Sequence, residues 1–309
     1  MSDPFVHLHV ASGYSLRYGA SHPQALVARA AEQEMDTLAL TDRDGVYGAV
    51  KFARSCYGAG IRPVLGVDLA HRPVLPTPAV ARTRTPVRGG AFREPVGGGL
   101  PRVTFLATAD SSGGGRAGWA ALCRLISSTH LAGERGVPVL DPATLPDDVR
   151  RALATGHLLV LLGPASELAH AATRRRDDLG LAALAPWREL VPRTHLLAEL
   201  VSHRLPGGSS RDGSWGPGTS PHAARMAGMA RWAGIGAVLT NAVRYAERGD
   251  AATVDVLDAA RRLVALDRRH VDRGNAEGYL KSGKEMAEVA EEISRLSGCL
   301  LYTSPSPRD

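Results

Sequence analysis

The chain has 309 residues, 44% of them hydrophobic, with a formal net charge of +6. That length can bury one large α/β domain plus a smaller piece. No run of 18 apolar residues occurs and no basic-then-apolar leader opens the chain, so neither a membrane span nor a secretory signal is expected. Cys56, Cys123 and Cys299 show no metal-type pairing, which fits a reducing, cytoplasmic setting. Only Lys51, Lys281 and Lys284 are lysines, so arginine carries nearly all the positive charge. Two readings suit that bias: guanidinium contact with nucleic-acid phosphate, or simply a GC-rich coding sequence, since the arginines are scattered rather than gathered on one stripe.

Phe5–Val10 alternates His7 and His9 with apolar neighbours and is predicted as a strand. Ser21 opens the first helix, with Gln24 completing a capping box and Pro23 in the first turn. Thr37–Thr41 is a short apolar strand that runs into a polar loop holding Asp42, Asp44 and Gly45. Val46, Ala49, Val50 and Ala53 then recur at helical spacing until Gly58 and Gly60, and Arg62–Leu69 is the next strand. Such a unit places its polar loop at the carboxyl end of a parallel strand, where α/β proteins bind ligands. Residues 71–102 hold six arginines and one glutamate among many Pro and Gly, and are predicted as a flexible loop: a DNA-touching arm or a tolerated insertion.

Val103–Thr108 resumes the core as a strand, and Trp119, Leu122, Leu125 and Ile126 mark a helix that ends near His130. His157–Leu162 and Thr194–Val201 are further strands, the second leading to Glu199 and His203. Residues 204–219 form a second flexible loop. The next helix opens at Ser220-Pro221, and its Met226, Met229 and Trp232 are expected in the core. Ile235–Thr240 is the last strand, followed by an amphipathic helix over Asp250–Leu266. Seven strands, near residues 5, 37, 63, 103, 157, 195 and 235, alternate with loop or helix crossovers. That alternation predicts a parallel sheet, and seven units suit a closed barrel better than an open sheet.

Five segments occur in a telling order: HLHV, LTDRDGVYGAVKF, AGIRPVLGVDL, TNAVRY and YLKSGKEM. As a set they resemble the start of bacterial C-family DNA polymerases (the DNA polymerase III alpha subunit). There they belong to the polymerase-and-histidinol-phosphatase (PHP) domain, a distorted seven-stranded β/α barrel. The resemblance covers about residues 5–69, 119–140 and 235–298, and ASHPQALVARAAE and TDRD look most like the error-prone, actinobacterial-type branch.

Active members hold two or three metals on His, Asp and Glu ligands and activate water for phosphoester hydrolysis. The resemblance implies that several of those positions are lost. His9 stands first in a His-x-His pair, but Ala11 takes the second place. Tyr18 stands where Asp is frequent, and Arg43 replaces the histidine of Thr-Asp-His. Ala242 and Arg244 replace the Asp and His of Thr-Asn-Asp-Val-His-Tyr. Alanine has no lone pair, and arginine stays protonated. Vestigial metal candidates are His7, His9, Asp42, Asp68, His130, Glu199 and His203. Asp68 stands in place of a glutamate, and His130 matches a family histidine but could equally answer the helix dipole. Arg43 is expected to pair with Asp42 or Asp68, holding the loops together in place of metal.

The implied parent is a DNA-directed DNA polymerase using Mg²⁺, with DNA and other replication or translesion subunits as partners and no membrane. Residues 1–270 are expected to form the PHP domain, mainly structural and without a cofactor of its own. Residues 271–298 would lead into a truncated palm, and 299–309 read as translated sequencing-adapter DNA rather than natural protein. Two alternatives stand beside this: a free-standing metal-dependent phosphoesterase of the same superfamily, and a non-catalytic DNA- or partner-binding module.

Overall fold

The computed structural model describes residues 3, 5–75, 99–109, 115–133, 136–206, 216–267 and 273–298. The tail 299–309 and most of the arginine-rich segment therefore lie outside the described residues. Six strands form one sheet in sequential order: β1 Thr37–Arg43, β2 Arg62–Ala70, β3 Arg102–Ala107, β4 Leu158–Leu162, β5 Leu196–Val201 and β6 Gly236–Thr240. Nine α-helices are described. They are α1 Pro23–Glu32, α2 Ala49–Gly58, α3 Arg116–Ala132, α4 Asp147–Ala154, α5 Glu167–Thr173, α6 Asp177–Leu190, α7 Ser220–Ala233, α8 Ala251–Arg262 and α9 Gly283–Ser297.

The sheet is mixed, which corrects the all-parallel expectation. β1–β2, β4–β5 and β5–β6 are parallel, but β3 runs antiparallel to both of its neighbours. The chain leaves β2 at Ala70 and re-enters the sheet directly opposite it at Arg102. A return of that kind is antiparallel, whereas a parallel one needs a crossover to the far end of the sheet. Arg102 thereby belongs to a strand rather than to the predicted loop.

The predicted strand at Phe5–Val10 is not regular, so six strands stand where seven were expected among the described residues. Its pairing is split between two partners. The amides of Ala39 and Thr41 donate to the carbonyls of His7 and Val10, while the amide of Val243 donates to His9 and that of Ala11 donates to Val243. The Val10 amide is taken by the Thr41 hydroxyl at 2.9 Å, which interrupts the ladder. The segment still joins β1 to the chain leaving β6, through single parallel bridges at His7–Leu38 and Val10–Val243.

Strand alternation divides the core. Val67, Leu69, Val103, Phe105, Val160, Leu162 and Leu200 pack in one large cluster with α3–α7 and α9. Ala39, Leu106 and Leu161 form a small cluster of their own. α1 differs from expectation at its start: its N-cap is His22 without a side-chain bond, and the Ser21 hydroxyl instead accepts from the Ala246 amide at 2.8 Å. Met226 and Met229 are core, but Trp232 is 61% exposed. Among the described residues no helix is long and apolar enough to cross a membrane.

Residues 273–298 pack back on the sheet's own helices. α9 begins with a Ser282–Glu285 capping box and buries Met286, Val289, Ala290 and Ile293 in the large cluster, against α7. Lys281 is 1% exposed and donates to Asn241 Oδ1 at 3.1 Å, so the chain entering α9 is pinned to the loop that follows β6. Ile293→Ala is expected to lower stability in urea unfolding by about 2–5 kcal/mol, as for a buried aliphatic truncation. An unchanged midpoint would show α9 to be a loosely attached linker.

Candidate functional site

Register alone brings the predicted residues near one another. Arg43 lies directly opposite Asp68 across β1 and β2, and Asp68 lies opposite Thr104 on β3. Because β3 is reversed, its first residue, Arg102, arrives at the end of the sheet where β1 and β2 finish, on the same face as Thr104. A small cavity of about 60 Å³ opens there, lined by His9, Tyr18, Arg43, Asp68, Arg102, Thr104, Glu199 and Ala242.

Asp68 is the hub. Its Oδ2 lies 2.8 Å from Arg102 Nε and 3.3 Å from Arg43 Nε, and it is 3% exposed. Burial alone would raise its pKa, but the charges of Arg102, Arg43 and His9 outweigh that and hold the carboxyl below its ordinary value. Arg102 also donates from Nη2 to the Asp68 carbonyl at 2.7 Å and to Asp44 Oδ1 at 2.8 Å. Of the two expected partners for Arg43, the structure supplies Asp68.

Asp42 is committed elsewhere. Its Oδ1 accepts from the Ser12 amide at 2.7 Å and the Ser15 hydroxyl at 2.7 Å, and the Ser12 hydroxyl is 2.9 Å from Oδ2. These bonds fasten the loop after His9 to the end of β1. Burial raises the Asp42 pKa, and the serine bonds only partly offset it.

Tyr18, on that loop, serves as a platform. The guanidinium carbon of Arg43 lies 3.3 Å from its ring centroid and that of Arg244 lies 4.1 Å away. Arg244 also donates from Nη2 to Asp258 Oδ1 at 2.9 Å, and Asp258 is fully buried. Burial favours the neutral phenol, yet Arg43 and Arg244 bring its pKa below the usual value.

His9 Nδ1 lies 2.7 Å from Glu199 Oε1, which also accepts from the Thr240 hydroxyl. Burial disfavours a charged imidazole, but the Glu199 charge and hydrogen bond prevail, raising the His9 pKa to about 9. Both ring nitrogens are then protonated at neutral pH. Among the described residues Glu199 Oε2 has no hydrogen-bond partner, and it lies against Gly163, where a Cβ would fall 1.9 Å from it.

The remaining candidates stand outside this cluster, each bonded to a backbone carbonyl. His7 Nε2 lies 2.8 Å from the Lys281 carbonyl and His203 Nε2 lies 2.9 Å from that of Asn241; burial lowers both pKa values to about 4. His130, on α3, is 2.6 Å from the Asp44 carbonyl. Sequence reasoning missed Arg102, assigned to a loop, and the serines that hold Asp42. The signal for Arg102 was the alternation of RVTFLA, which extends one residue before Val103. Among the described residues, no group of three or more His, Cys, Asp or Glu side chains is placed to hold a metal.

Residues 7–203 match the family model described as the PHP domain. The chain is 30% identical over 93% of its length to an error-prone DNA polymerase of Nocardia farcinica, and 32% identical over 94% to one of Symbiobacterium thermophilum. It spans about a quarter of those relatives, 26% and 24% of their lengths. Among solved structures, an amidohydrolase from Chromobacterium violaceum aligns over 77% of this chain and 87% of its own, with a TM-score of 0.40 and 14% identity. The match across the site-bearing strands β1 to β5 carries the assignment: the chain belongs to the PHP domain family.

Proposed function

We infer that this is the PHP domain of an error-prone-type DNA polymerase in which an ion-pair network has taken the place of a metal cluster. The observation that carries the reading is Asp68, a family ligand position now shared between Arg102 and Arg43. A divalent cation would have to break these pairs, and removing the partner of a buried charge costs about 3–5 kcal/mol. It would also need a neutral His9. The Glu199 carboxylate instead favours the charged imidazole, raising the His9 pKa to about 9. Ala11 and Ala242 offer no donor in return, and Arg244 adds a fixed positive charge beside Tyr18. The residues present therefore do not fit a metal cluster.

The domain's role on this reading is structural. DNA-directed DNA synthesis, with Mg²⁺ held by palm carboxylates, belongs to the parent polymerase. DNA and other replication or translesion subunits are the parent's partners. A hydrolytic phosphoesterase would need the very ligands that Arg43, Ala242 and Arg244 have displaced.

Titration of the purified chain with Mn²⁺ or Zn²⁺, followed by calorimetry, is expected to show no stoichiometric site. Tight one-to-one or two-to-one binding would overturn the reading. The same network predicts the pH dependence of stability. His9 is raised from 6.5 to about 9, so its pairing with Glu199 stabilises the fold fully below pH 6.5 and is lost as pH rises through 9. Urea stability should fall across that window by roughly 1–3 kcal/mol. Glu199→Gln should flatten this fall, and parallel curves for variant and parent would remove the pair from the account.

A further inference from the structure

α2 buries Ala49, Phe52 and Cys56 and turns its opposite face to solvent. On that face stand Val50, Lys51, Arg54 and Tyr57, and Tyr47 lies in the turn just before the helix. Tyr47 is 67% and Tyr57 73% exposed. The whole chain has seven tyrosines and three lysines, so placing two of the former and one of the latter on one short helix and the turn before it is a concentration.

The charge on this face is uncompensated. α2 contains no carboxylate, and neither Lys51 nor Arg54 forms an ion pair among the described residues. Lys51 Nζ lies 5.4 Å from the Tyr14 ring centroid. Two glycines seat the rings. A Cβ on Gly45 would fall 2.4 Å from Tyr47 Cε2, and one on Gly48 would fall 2.9 Å from Tyr14 Cδ2, so each ring lies close against the backbone. Between this stripe and α1 an open groove of about 440 Å³ is lined by Gln24, Lys51, Arg54 and Ser55.

We propose that this face binds single-stranded nucleic acid, with bases stacking on Tyr47 and Tyr57 and backbone phosphates on Lys51 and Arg54. Sequence-tolerant single-strand sites combine a positive groove with exposed aromatic rings, since every base offers a π-face. From Ala49 to Tyr57 the helix rises about 12 Å, the length of three to four stacked nucleotides at about 3.4 Å each, and Tyr47 stands just before its start. A duplex hides its base faces and would leave the two rings idle. The site is separate from the Asp68 cluster and does not rest on the reading given to it.

The test is fluorescence anisotropy of a labelled oligo-dT with the full 309-residue chain, titrated at several salt concentrations. All four side chains are exposed, so the variants should fold, and thermal melts confirm it. Lys51→Ala with Arg54→Ala should make the log K against log salt slope shallower by about 1.4, at 0.7 per phosphate contact on a single strand. Tyr47→Ala with Tyr57→Ala should weaken binding roughly 10-fold per ring, within the range for base stacking, while the two Tyr→Phe changes should retain it. Binding that ignores both pairs overturns the site. Equal binding of duplex DNA or polyglutamate, insensitive to loss of the tyrosines, overturns the nucleic-acid assignment in favour of a plain cation patch.

Discussion

The buried carboxylate of Asp68 is the constraint around which the site is arranged. A lone ionised carboxyl at this depth would be costly, and only close, well-directed cations offset its desolvation. Arg102 does so with two bonds to the same residue, Nε to the carboxylate and Nη2 to the carbonyl, and the same Nη2 also reaches Asp44. Arg43 adds a second charge from the neighbouring strand. Three strands and the loop after β1 are thereby tied at a single point. Buried ion pairs are seldom the most stable solution, since well-packed apolar groups often do as well or better. What they impose is position: each guanidinium must lie where Asp68 needs it.

The reversal of β3 is what makes this possible. Run parallel, the strand would carry Arg102 to the far end of the sheet. Run antiparallel, it brings Arg102 to the end where β1 and β2 finish, two residues from the Thr104 that faces Asp68. Arg43 is then free to lie over Tyr18, and Arg244 comes to the same ring from the loop after β6. Each cation over an exposed ring contributes about 0.5–1 kcal/mol, and more when desolvated. The ring thus links the loop after His9 to both sides of the site.

Much of this was legible in the sequence, and the omissions have physical reasons. Strands β1, β2, β4, β5 and β6 follow from their apolar runs, and an ion pair for Arg43 from the expectation that a fixed cation seeks a nearby acid, although the choice of Asp68 over Asp42 came only with the structure. The direction of β3 was not legible, because an apolar strand reads the same in either orientation and the segment before it has no periodic signal. The irregularity of residues 5–11 turns on Thr41, whose hydroxyl takes an amide that a regular ladder would have used. A single side-chain bond of this kind leaves no trace in a hydropathy pattern. The partners of Asp42 were hidden for a similar reason: Ser12 and Ser15 sit in a loop whose composition suggests only a turn. Integration of α9 with the core was likewise obscured, since its amphipathic face fits a lead into another domain as well as it fits this one.

On the proposed reading, main-chain bonds would let ligand positions change while the frame persists. The loop carrying Ala242 is held by Val243 donating to the His9 carbonyl, by Ala11 donating to that of Val243, and by Arg244 donating to that of Gly278. The polar loop after β1 is held by Asp44 donating to the Asp68 carbonyl. None of these bonds involves a side chain that a metal would use. Ala242 sits at φ 43°, a left-handed conformation that disfavours alanine and that aspartate tolerates better. A frame held by its own amides can lose a cluster of ligands one side chain at a time, provided the charges left behind find partners. Asp68 is paired with two arginines, and Glu199 with His9.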